Sequence, residues 1–135
     1  MVEPYEFTLQ PRWGDMDALN HVNNTRYLDY AQEARVGFFL GLIGASRAPL
    51  VVARQEIDYL RPLVYSNQSV VVQVQVEAIG TRSFTLLQTI KEPGADGRIY
   101  AKVVAVMVGF DRDSGGSRPL GEDERAALTA LLPSG

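Results

Sequence analysis

The feature that most constrains this chain is the stretch Arg12 to Phe39, RWGDMDALNHVNNTRYLDYAQEARVGFF, where a polar loop runs straight into the one long helical pattern. Polar residues at Thr25, Arg26, Asp29, Gln32 and Glu33 recur at three- and four-residue spacing, leaving Leu28, Ala31, Ala34, Phe38 and Leu42 on the other side. The spacing predicts a helix from about Asn24 to Gly41, with Asn23 or Asn24 as N-cap and Gly41 or Gly44 as C-cap. Past Arg35 the run VGFFLGLIG is apolar all round, so the second half of the helix is expected to be buried on every side. A helix embraced by a sheet fits that pattern.

The remaining periodicity supplies the sheet. Glu6–Gln10 alternates and ends at Pro11; Leu50–Leu60 closes before Pro62; Ser69–Ile79 sets Val72, Val74 and Val76 against Gln73, Gln75 and Glu77. Gly80–Arg82 turns into Phe84–Lys91, and EPGADGR turns into Ile99–Phe110, which reads as a central strand. The acids Glu122, Asp123 and Glu124 open a short helix within Gly121–Leu132. Strand, helix, four antiparallel strands and a terminal helix make an α+β layout in one domain spanning residues 1–135.

The junction is useful for acyl chemistry. The first backbone N–H groups of a helix lack intrahelical partners and carry the positive end of its dipole, so they can hold a carbonyl oxygen or an oxyanion. A carboxylate just ahead can attack or activate water, and Asp17 stands there, two residues after Asp15. The same residue types also make caps and turns, and the single histidine, His21, also reads as a loop or packing residue. Trp13 is expected to pack beneath the loop or in a core or interface, and Glu33 to lie on a solvated helix face.

Composition narrows the alternatives. The net charge of −3 gives no basic footprint for nucleic acid, although eleven of thirteen basic residues are arginine, so local anion sites remain open. With no cysteine there is no thiolate nucleophile and no cysteine-based metal site, and one histidine does not make a histidine-rich one. No metal or cofactor is expected, and the DRD acids at Asp111–Asp113 read as a solvated turn. The first residues carry no basic, apolar leader and no run approaches membrane-spanning length, so a cytoplasmic protein that does not enter a membrane is expected. No G-x-S-x-G elbow surrounds any serine.

GDMD followed by A-L-N-H-V-N-N-x-x-Y-L resembles the G/S-D-x-D loop and H-V-N-N helix start of the 4-hydroxybenzoyl-CoA thioesterase-like branch of hotdog-fold acyl thioesterases. Ile57, Tyr59 and Pro62 are similar to the second strand of that family, with Ser66 and Asn67 where relatives often have Gly-Asp. The resemblance implies a hotdog fold: a five-stranded antiparallel sheet wrapped around a long central helix, assembled as a homodimer by pairing sheets edge to edge, and often as a homotetramer. It places the catalytic carboxylate on Asp17 and makes Asp15 its structural companion. The stretch is also similar to the D-x-N-x-H-V-N-N signature of plant acyl-ACP thioesterases, matched at Asp17 and His21 but with Leu19 at the Asn position. That departure favours a single-carboxylate arrangement over a catalytic His21.

The implied reaction is hydrolysis of an acyl thioester carried by coenzyme A or acyl carrier protein. Asp17 would be nucleophile or general base, His21 and Asn24 its catalytic neighbours, and the N–H groups near Asn23, Asn24 and Thr25 the oxyanion donors. Arg82, in the turn IGTRS, followed by Arg61 and Arg54, would meet the carrier phosphates, and Phe38, Phe39, Leu42, Ile43 and the GASRAPL loop could line an acyl tunnel. Two alternatives remain: a hotdog hydratase or dehydratase, whose D-x-N-P-x-H pattern is only loosely echoed here, and a non-catalytic acyl-thioester-binding module.

Overall fold

A computed structural model describes residues 3–42 and 49–133. The expected elements are present: β1 (Tyr5–Leu9), a 3-10 turn (Trp13–Asp15), α1 (Arg26–Leu42), β2 (Leu50–Tyr59), β3 (Val70–Ile79), β4 (Ser83–Lys91), β5 (Ile99–Gly109) and α2 (Glu122–Thr129). The strands form one antiparallel sheet in the order β1-β3-β4-β5-β2, leaving β1 and β2 as its edges. This is the hotdog arrangement, with α1 held against one face.

The helix sits close to the sheet because its contact face is small where it must be. Ala31 and Ala34 are fully buried, flanked by Tyr27, Tyr30 and Phe38, and they meet the alternating inner residues Val72, Val74, Val76, Phe84, Leu86 and Ile90. Each large apolar side chain taken out of water there contributes about 1.5–3 kcal/mol. Gly37 allows the closest approach: a Cβ at that position would lie 2.6 Å from the Tyr5 hydroxyl and 3.2 Å from the Phe7 ring. Arg118 pins α2 by donating to Glu124 at 2.7 Å, and Leu128 enters the core.

Two expectations need correction. Trp13 is 75% exposed and does not pack beneath the loop. The second half of α1 is not buried on every side, since Val36 is 51% and Leu40 68% exposed. Apolar residues all round a helix require cover, but one protomer's sheet covers only one face. Phe38 belongs to the core and also lines a cavity of about 260 Å³ with Tyr5, Gly41, Val74, Val76 and Leu131, whereas Ile43, Gly44 and the following loop through Ala48 lie outside the described residues. Arg35 is the converse case: it is buried, donating to Gln55 at 3.1 Å and Gln88 at 2.9 Å, while Gln88 in turn donates to the Ala31 carbonyl.

Candidate active site

The loop ahead of α1 is a tight hairpin. Met16 and Val22 pair across it, and the Asp17 N–H donates to the His21 carbonyl at 2.7 Å. Asn20 closes the turn at φ 61°, a left-handed conformation that asparagine tolerates better than most residues. This accounts for Asn20 within the motif: its backbone conformation, not its amide group, is what the loop requires. The Asn20 and Leu63 carbonyls then accept from Tyr65 and Val22, fixing the loop to the segment after β2.

Asp15 fastens the same loop to the helix. One of its oxygens accepts from the Arg12 N–H at 3.1 Å and the Tyr30 hydroxyl at 2.6 Å, and its carbonyl accepts from the Asn23 N–H. Burial alone would raise its carboxyl, but these hydrogen bonds and the Arg12 guanidinium outweigh burial and hold it below the ordinary Asp value. Burial and the Asp15 carboxylate together push the Tyr30 phenol up. Asp15 is thus fully engaged in holding structure.

Asp17 differs. It is exposed, and only its Oδ1 is engaged, accepting from the N–H groups of Leu19 at 2.8 Å and His21 at 3.1 Å. Those donors fix the carboxylate's orientation while Oδ2 meets no donor among the described residues. Asp17 lines a cleft of about 480 Å³ with His21, Asn24, Tyr27, Tyr59 and Arg61. The Tyr59 hydroxyl donates to the Asn24 carbonyl at 2.8 Å, and its ring meets Tyr27 edge to face at 5.2 Å. The two tyrosines form cleft walls: the I-x-Y pattern marked Tyr59 only as a strand residue, and Tyr27, whose hydroxyl accepts from the Leu63 N–H, looked like one more helix position.

The helix start sorts the expected donors. Asn23 is the cap: its Oδ1 accepts from the Thr25 N–H at 3.0 Å and its carbonyl from the Arg26 N–H at 2.8 Å. The Asn23 N–H is taken by Asp15. The Asn24 N–H alone among the three has no acceptor among the described residues, and Asn24 lines the cleft.

Of the proposed carrier contacts, Arg61 borders the cleft and Arg82 does not. Arg82 sits in the β3–β4 turn and donates to the Ser117 carbonyl and hydroxyl at 3.0 and 3.2 Å. The ladders put Ser83 beside Val108 and Val51, whereas Tyr59 pairs with Ala101, so Arg82 is at the opposite end of the sheet. At ~3.3 Å per residue the separation along the strands is about 25 Å. A turn's residues are legible in a sequence, but the end of the sheet on which they fall follows from strand order. Arg54 pairs with Glu56 on β2. Among the described residues no group of three or more His, Cys, Asp or Glu is arranged to hold a metal ion, and no helix is long and apolar enough to cross a membrane.

A loop carboxylate and a helix-start N–H without an acceptor among the described residues thus line one cleft of a hotdog sheet. Residues 11–131 match the model of the thioesterase-like superfamily, and the chain belongs to that superfamily. It is accordingly a thioester hydrolase. The chain is similar to a thioesterase from Thermus thermophilus, solved in complex with coenzyme A and Zn, at 30% identity and a TM-score of 0.85 over 99% of this chain and 98% of that one. It is similar to a predicted thioesterase from Bacillus stearothermophilus, at 28% identity and a TM-score of 0.84 over 95% and 96% of the two chains. Among curated proteins, YsmA of Bacillus subtilis (strain 168) is 28% identical over 120 residues, covering 87% of this chain and 80% of that protein.

Proposed function

We propose that the protein hydrolyses acyl-CoA thioesters in the cleft at the N-terminus of α1, with Asp17 as the reacting carboxylate and the Asn24 N–H as oxyanion donor. The observation that carries this reading is the pairing of an oriented, half-free carboxylate with an unengaged helix N-terminal N–H in one lining. Coenzyme A is favoured as carrier because the Thermus thermophilus relative holds it, and such a substrate fits a cytoplasmic protein.

In the base route Asp17 takes a proton from water, the hydroxide adds to the carbonyl carbon, and the oxyanion is held by Asn24. Collapse breaks the C–S bond, and the thiolate takes a proton. In the nucleophile route Asp17 itself adds, the thiolate leaves, and water opens the resulting anhydride. A preorganised oxyanion donor is worth ~3 kcal/mol in either route. His21 and Arg61 border the reacting groups, and we assign them proton delivery to the leaving thiolate and contact with the carrier, respectively.

The protein is also proposed to act as a homo-oligomer, a dimer or a tetramer. Edge strand β2 exposes Val51 and Val52, and α1 exposes Val36 and Leu40, surfaces that a second copy would cover. Antiparallel pairing of two β2 edges would turn the partner's Arg82 end toward this cleft. Thiol release from a panel of acyl-CoAs of graded chain length and aromatic character tests the function; no turnover on any member by the folded protein would refute it.

A further inference from the structure

An N–H group stabilises an oxyanion only if it already points at the place where charge develops. Asn24 stands ahead of the first helical residue, Arg26, so the direction of its N–H depends on what holds the two peptide groups flanking its Cα. The preceding peptide carries the Asn24 N–H and the Asn23 carbonyl, and that carbonyl accepts from the Arg26 N–H at 2.8 Å. The following peptide carries the Asn24 carbonyl, which accepts from the Tyr59 hydroxyl at 2.8 Å, and the Thr25 N–H, which donates to Asn23 Oδ1 at 3.0 Å. Each peptide is a rigid plane, so holding both fixes the two soft dihedrals between them.

Of these three bonds, two lie within the helix start and move with it. Tyr59 alone brings a restraint from the sheet, and it is itself well anchored. It closes β2 opposite Ala101, and the N–H groups of the next two residues, Leu60 and Arg61, both donate to the Tyr100 carbonyl at 2.8 and 3.1 Å. Its ring meets Tyr27 edge to face at 5.2 Å. Tyr27 is buried, and its hydroxyl accepts from the Leu63 N–H at 3.2 Å.

Resting on the acyl-CoA reading above, we propose that Tyr59 is a positioning residue for thioester hydrolysis: its hydroxyl holds the peptide after Asn24 and so aims the Asn24 N–H into the cleft from the strand that walls it. The hydroxyl acts through the backbone and not on the substrate. A misaimed donor weakens the hold on the developing oxyanion more than the hold on the neutral carbonyl, so the role shows in kcat and not in KM.

The test is Tyr59→Phe in the full chain, read by steady-state thiol release from the best acyl-CoA and by ¹⁵N relaxation of the Asn24 amide. Phenylalanine keeps the ring that walls the cleft and meets Tyr27, and the exposed Asn24 can turn its carbonyl to water, so the fold should survive. The expected result is a fall in kcat of about ten- to a hundredfold with KM within about twofold of wild type. The Asn24 order parameter should fall from about 0.85, the value of rigid backbone, toward about 0.6. Unchanged kcat, a loss carried by KM, or an Asn24 amide as ordered as in the wild type would each overturn this inference and leave the acyl-CoA reading standing. No thiol release from any acyl-CoA by the folded wild type refutes that reading and takes this role with it.

Discussion

Two aspartates two residues apart meet opposite surroundings. Asp15 is buried against Tyr30 and Arg12, whereas Asp17 is exposed and oriented by two backbone donors. Because the folded carboxyl of Asp15 lies below the usual 3.8, its contribution to stability is fully present above that pH and is lost as the pH falls through the folded value. Tyr30→Phe removes the 2.6 Å hydrogen bond and should cost about 1.5–3 kcal/mol at neutral pH. Acid unfolding monitored by circular dichroism should move to higher pH. An unchanged acid midpoint would contradict this account of Asp15. Asn20 gives a second residue-scale prediction from its φ of 61°: Asn20→Gly should be nearly neutral and Asn20→Val should destabilise by roughly 1–2 kcal/mol in urea unfolding.

At the scale of elements, α1 positions the site, and its small residues Ala31, Ala34 and Gly37 set how closely it meets the sheet. Gly37→Ala would drive a methyl toward the Tyr5 hydroxyl and Phe7 and should cost about 1–3 kcal/mol through overpacking, despite alanine's better helix propensity. A gain in thermal stability would show that the helix has room to move. The alternation of Val72, Val74 and Val76 and the helical spacing before Arg35 were legible because one buried face imposes a period. Arg35 was not legible, since its partners Gln55 and Gln88 are 20 and 53 residues away. Pairings of that kind depend on which strands become neighbours. For the same reason the GDMD loop revealed Asp17, while Tyr59 became a wall of the cleft only once β2 lay beside the helix start.

For the molecule as a whole, the apolar residues left in the open mark where sequence patterning exceeds what one protomer can bury. Val36 and Leu40 on α1 and Val51 and Val52 on β2 read as core but are exposed, because apolar composition calls for cover without naming its source. A dimer through β2 is the expected source, and light scattering should show at least a dimer that Val51→Lys and Leu40→Glu together convert toward monomer. A monomeric wild type at micromolar concentration would contradict that arrangement. Arg82 lies about a strand's length from the cleft in its own chain, where it donates to Ser117.

The central claim is that Asp17 is the reacting carboxylate of a thioester hydrolase. The most direct measurement is thiol release from the best acyl-CoA substrate by Asp17→Asn beside wild type and Asp15→Asn, with circular dichroism and light scattering on all three. Asp17→Asn keeps an oxygen for the Leu19 and His21 donors, so fold and assembly should be unchanged while kcat falls by about 10²–10⁴. A folded Asp17→Asn protein that retains wild-type turnover would contradict the account.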